Sequence, residues 1–259
     1  MMPSRIRRGW APHEFPADRA AAERLREWLQ ESDGKGLDAV GLDFSAADLS
    51  GGNFSESWFT EAMLVGTNLT GADLYRAALE GADLSGANLT NASLVRANFD
   101  DATLRGATLD GADLVKASLY DVDASGASFR GTRLMGASLL DVNLCGADLT
   151  NAVVDENSFK VRIDENTALD GFSGTVFGPV EALTEEGPKE LSGVDLEQWI
   201  RERNGNVRVI PSRAGTLIVR VPRHVKPDPM TRAAPRRSAI AQPSRSSDRK
   251  RRQACSTRH

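Results

Sequence analysis

The chain has 259 residues, is 40% hydrophobic but only 6% aromatic, and carries a formal net charge of −4. Any core must therefore be aliphatic, and no run approaches the ~18 apolar residues that a membrane span needs. Two cysteines (Cys145 and Cys255) and three scattered histidines (His13, His224 and His259) offer no metal-binding spacing, so neither a metal nor another cofactor is expected.

The opening segment MMPSRIRRGWAPHEF has positive charges without an apolar stretch behind them. It is not a secretory signal, and the cytoplasm is the expected compartment. Residues 1–16 are read as a flexible N-terminus and 17–37 as a capping helix with its linker. Within FPADRAAAERLREWLQESDG (15–34), Ala21, Leu25, Trp28 and Leu29 share one helical face. Gly34 is the expected stop.

From residue 38 a different rhythm begins. Every fifth residue from Phe44 to Phe159 is Leu or Phe at 22 of 24 positions, the exceptions being Ala124 and Val154. Two residues before each of these, Ala occurs ten times running from Ala72 to Ala117. A period of five suits neither an amphipathic helix nor an alternating strand. It suits a chain that turns a corner every five residues and closes a four-sided coil after about 20, one strand spacing (~4.8 Å) higher. Leu or Phe then points inward, Ala fills the crowded corner, and the other three positions face outward. The sides are numbered here from the columns that start at Phe44 (first), Leu49 (second), Phe54 (third) and Phe59 (fourth). Motifs such as GADLY (71–75), GADLS (81–85), GANLT (86–90) and GADLV (111–115) resemble those of the pentapeptide-repeat proteins. The resemblance implies an all-β solenoid, a right-handed quadrilateral β-helix over residues 38–172. Its N-terminal end would be closed by the helix and its C-terminal end by a small α/β cap.

The five-residue register fades after Phe159, and VRIDENTALDGFSG is read as a last irregular coil. Residues 173–221 are read as the C-terminal module. Its helix is expected in GVDLEQWIRERNG (193–205), with Val194, Trp199 and Ile200 apolar and a stop at Asn204-Gly205. A hairpin is expected from the runs VRVI and TLIVRV around PSRAG. From 222 onward the chain is rich in Pro, Arg and Ser and is expected to be a disordered basic tail, with weak nucleic-acid contact by DRKRRQ (248–253) as its one candidate activity. Charge is polarised: residues 38–160 hold 18 Asp/Glu against 7 Lys/Arg, and residues 220–259 hold 12 Lys/Arg against 2 Asp.

No nucleophile–base pair, phosphate loop or dinucleotide fingerprint is present. Cys145 falls one place after Leu144 and points outward. A non-enzyme without a small-molecule substrate is expected, so function is sought in outward columns. On the third side, Tyr75, Val95, Val115 and Met135 form an apolar strip beside Arg76, Arg96 and Lys116. On the fourth, Glu61, Glu80, Asp100, Asp101, Asp121 and Asp141 form an acidic stripe, interleaved with Tyr120 and Leu140. Like charges stacked at strand spacing repel, so neither column helps folding and each points to a partner. Two functions are weighed. One is a scaffold that binds a protein partner through the apolar and basic strip. The other follows from the family resemblance: some members resemble DNA in width and charge and bind DNA gyrase, giving quinolone resistance.

Overall fold

Parallel bridges link each coil to the next at a constant spacing: Asp38 with Trp58, Asn53 with Asp73, Asn68 with Asn88, and onward to Asp148 with Ala168. The computed structural model describes residues 10–31 and 34–211, all within the unit Met1–Thr216. A turn interrupts the chain every five residues. The Gly52 N–H donates to the Leu49 carbonyl (3.2 Å), and the Ala97 N–H to the Leu94 carbonyl (3.0 Å). From Phe44 to Val154 the residue two after each central position is left-handed, with φ of 65° at Gly51 and 61° at Arg96. These are type II turns, whose third position requires positive φ. The repeat is thus a β-helix solenoid with four sides per coil.

Each central residue from Phe44 to Phe159 is buried, as is each residue two places before it from Ala47 onward. Backbone pairing between coils satisfies the walls: the Leu94 N–H donates to the Asp113 carbonyl (2.8 Å) and the Arg96 N–H to that of Val115 (3.0 Å). The N–H just after each central residue points outward, and an Asp or Asn two places earlier accepts it where one is present. Thus Asp73 accepts from Tyr75 N–H (3.0 Å) and Asp113 from Val115 N–H (3.1 Å). That local bond is why the repeats favour Asp and Asn there. Where a polar residue replaces the corner Ala, it pays its desolvation by bonding inward. Thr67, Thr132 and Thr167 donate to the carbonyls of Phe44, Leu109 and Leu144 at 2.9, 2.8 and 3.1 Å. Asn157 donates to Leu134 and Ala137 at 2.6 and 2.9 Å.

Aromatic residues close the first coils. Helix α1 (Arg19–Gln30) begins at Asp18, whose carboxylate accepts the Ala21 N–H at 2.8 Å. It buries Ala21, Ala22, Leu25 and Trp28. Trp28 stacks on Phe54 with centroids 5.6 Å apart, and Trp10 meets the same ring edge-on at 5.4 Å. The helix ends earlier than the glycine signal predicts. Glu31 is already extended (ψ 138°), so Gly34, at φ 76°, lies beyond the end.

At the other end the fading register has a geometric cause. Strands β1 (Ser138–Asn143) and β2 (Val153–Asp164) pair in parallel, and the register slips by one residue between Leu140↔Lys160 and Val142↔Val161. Val161 and Ile163 therefore turn inward and are buried. Leu169 and Phe172 then continue the core. Residues 161–174 thus form a last coil that is irregular through this one-residue slip, with strand at 161–164 and 173–174, turns between them and a bridge from Ala168 to Asp148. Beyond it come β3 (Ser173–Phe177), β4 (Val180–Thr184), β5 (Gly187–Leu191), α2 (Gly193–Arg201) and β6 (Asn206–Ile210). β4 and β5 form an antiparallel hairpin that the sequence reading missed. β6 pairs in parallel with β3. Residues 216–221, the second run of the predicted hairpin, lie outside the described residues, as does the basic tail. In α2 the buried residues are Leu196 and Ile200, whereas Val194 is 76% exposed. The Gly205 N–H donates back to the Ile200 carbonyl (3.0 Å) after left-handed Asn204, so the predicted stop acts where expected.

Candidate partner-docking surface

The two third-side columns interlock rung by rung. The N–H groups of Arg76, Arg96 and Lys116 donate to the carbonyls of Val95, Val115 and Met135, each at 3.0 Å. Tyr75, Val95, Val115 and Met135 are half-buried, while Arg76, Arg96 and Lys116 are exposed. The structure thus brings the seven residues together as one strip. Its charge is less uniform than the sequence implies. Arg76 lies 3.8 Å from Glu56 on the coil below and sits over the Tyr75 ring at 5.3 Å. Arg96 and Lys116 have no carboxylate partner among the described residues. The rung beyond them is Gly136, where an added Cβ would lie 3.5 Å from Lys116 Cγ.

Backbone conformation sets this corner and the fourth-side corner apart from the other two. On the second side the left-handed position holds Gly or Asn in every coil (Gly51, Gly71, Asn91, Gly111, Gly131, Asn151, Gly171). On the first side it holds Gly in all but the first (Ala46). On the third it holds Glu56, Arg76, Arg96, Lys116 and Glu156, at φ between 52° and 61°. A non-glycine residue in this region costs on the order of 1 kcal/mol. The strip therefore carries a repeated local cost that glycine would remove.

The fourth-side corner is equally strained at Glu61, Asp101, Asp121 and Asp141. Part of its acidity is answered internally. Glu80 accepts from Thr60 (3.2 Å) and Asn98 (2.6 Å), Asp100 accepts from Ser118 (2.5 Å) and Tyr120 N–H (3.0 Å), and Lys160 donates to Asp141 (2.5 Å). Glu61, Asp101 and Asp121 remain exposed. On the first and second sides, the Ser45 and Ser50 hydroxyls hold the carboxyls of Asp43 and Asp48, respectively, below the usual range. The half-buried Cys145 thiol is pushed up by burial and by nearby Asp164, away from thiolate reactivity. Among the described residues no cluster of His, Cys, Asp and Glu is placed to hold a metal ion, and no helix is long and apolar enough to cross a membrane.

One surface escaped the sequence reading. Val40, Trp58, Met63 and Val65 are exposed large apolar residues on the first coils, Trp58 at 47%. Their signal was available, since Trp and Met stand where other coils place Asp, Asn or Ser.

The Pentapeptide repeats family model matches eight copies within residues 40–151. With this match and the coil geometry above, the chain belongs to the pentapeptide-repeat family. Among solved structures, HetL, a protein involved in heterocyst differentiation regulation from the cyanobacterium Nostoc sp. strain PCC 7120, is 23% identical, covering 68% of this chain and 84% of its own at a TM-score of 0.44. A pentapeptide-repeat protein from the Arabidopsis thaliana thylakoid lumen is 31% identical over 44% of this chain and 69% of its own, with a TM-score of 0.19. QnrB1, a plasmid-mediated fluoroquinolone resistance protein, is 17% identical over 68% and 91%, with a TM-score of 0.28. Among curated proteins, none matches significantly.

Proposed function

We propose that the chain is a non-enzymatic cytoplasmic scaffold that captures a protein partner on the third-side corner. The observation that carries this reading is the coincidence of three features on the same rungs. Tyr75, Val95, Val115 and Met135 offer apolar area, Arg96 and Lys116 offer unanswered positive charge, and the backbone accepts left-handed strain to present them. A partner combining an apolar ridge with carboxylates suits such a strip, since charge complementarity sets orientation and apolar contact supplies affinity. In this reading the right-handed β-helix of residues 38–172 is the display element. Residues 17–37 act as its N-terminal cap and residues 173–221 as its C-terminal cap, with flexible residues 1–16 before them and the basic tail, 222–259, after.

The alternative is DNA mimicry toward DNA gyrase, as the family resemblance implies. The acidic corner favours it; the basic column one corner away opposes it, because a DNA-like surface needs continuous negative charge. Two assays separate the readings. Protein captured from a cell lysate by the immobilised chain should be lost with Val95→Asp/Arg96→Glu, and equal capture by both forms would overturn the scaffold reading. Inhibition of gyrase supercoiling by the purified chain would favour the alternative instead.

A further inference from the structure

The basic and acidic columns are the two edges of a single face. Chain order settles this: Arg76, Arg96 and Lys116 stand at the corner where the fourth side is entered. Ala78, Asn98 and Ser118 form the side itself, and Glu80, Asp100, Asp101 and Asp121 stand where it is left. The bonds from Asn98 to Glu80 and from Ser118 to Asp100 draw these carboxylates over the face. Between the edges the outward residues from the second coil onward are Ala78, Asn98, Ser118 and Ser138, short enough for another surface to approach the sheet, while Trp58 projects from the same column one coil below. The face is about 10 Å wide, three residues at strand rise, and its charges are in phase along the stack. Arg76 shares a coil with Glu80, Arg96 with Asp100 and Asp101, and Lys116 with Asp121.

We infer that this face pairs with the same face of a second copy, forming a two-fold dimer with parallel solenoid axes. Rotation by 180° about an axis parallel to the stack brings the basic edge of each copy onto the acidic edge of the other. Arg96 then faces Asp100 and Asp101, and Lys116 faces Asp121, at unshifted height and twice over. A two-fold axis across the stack would instead set like on like. An isologous contact must be self-complementary, and only the parallel arrangement is. The contact spans about five coils, roughly 250 Å² per copy, well below a standard interface, so the dimer is weak and transient. Its charge makes it salt-labile. This inference does not rest on the scaffold reading, since it needs no foreign partner.

Sedimentation velocity of the full chain tests it. Dimer is expected at low salt, with at least a tenfold weaker association at about 1 M, where the screening length is ~3 Å. Arg96→Glu/Lys116→Glu sets glutamates against Asp100, Asp101 and Asp121 of the other copy, and Asp101→Lys/Asp121→Lys sets lysines against its Arg96 and Lys116. Each variant alone should be monomeric at low salt, and an equimolar mixture should restore a dimer. Rescue on mixing cannot arise from misfolded protein. A wild-type chain that is monomeric at low salt, or dimeric to the same extent at about 1 M salt, would overturn the inference, as would variants that dimerise alone.

Discussion

Leu94→Asp is expected to abolish the cooperative melting of the central coils. Leu94 is fully buried, and its N–H pairs with the Asp113 carbonyl of the next coil. Truncating a buried leucine costs about 2–5 kcal/mol. The carboxylate adds the cost of burying a polar or charged group among Leu and Ala side chains that offer it no partner. Because each coil contacts only its neighbours, the loss removes the interfaces on both flanks. Thermal melting followed by circular dichroism checks this, with Ser93→Asp as the control. Its side chain occupies the outward position where other coils already carry Asp, so its melting should stay within about 0.5 kcal/mol of wild type. Coincident curves for Leu94→Asp and wild type would reverse the inward assignment.

Gly174→Ala is expected to detach the C-terminal elements from the solenoid. Gly174 has φ 127°, and a Cβ there would lie 1.6 Å from the Val154 carbonyl oxygen. That atom is backbone and cannot rotate aside. Gly174 also pairs with Val154 of β2 and Val207 of β6, so a displacement there breaks two strand contacts at once. A cost above ~3 kcal/mol follows from backbone strain and clash together. Limited proteolysis should cut the variant between 173 and 210 while the coils before 153 stay protected. An unaltered digestion pattern would show that β3 can shift to admit the methyl group.

The contrast between these sites explains how much the sequence revealed. Leu94 was legible because its role repeats: 22 of 24 positions in its column are Leu or Phe, and a pattern that regular has one geometric solution. Gly174 was not legible, because its role arises once, where β3 approaches β2. The slip at Val161 was hidden for the same reason, since one lost residue reads as decay rather than as strand. β4 and β5 carry Glu181, Lys189 and Glu190 among few apolar residues, and Gly187-Pro188 broke the strand signal. The third-side strip was readable as a column because its vertical order follows from the spacing. Its strain was not, because a sequence shows which residue fills a turn but not what φ it must adopt. Nor did the columns alone reveal that Arg76 is answered by Glu56 while Arg96 and Lys116 are unanswered.

Every surface assignment rests on the phase of the five-residue turn, and amide hydrogen exchange resolved by residue measures that phase directly. Slow exchange is expected at Leu94, Arg96 and Ala97, whose N–H groups donate to Asp113, Val115 and Leu94 carbonyls. Fast exchange is expected at Val95, which follows Ser93 and has no protein acceptor among the described residues. Intermediate exchange is expected at Tyr75 and Val115, held only by Asp73 and Asp113 side chains. A protection pattern recurring every five residues with its minimum one place after each Leu or Phe is the predicted result. Uniform protection, or minima that fall on Arg76, Arg96 and Lys116, would contradict the placement of the strip.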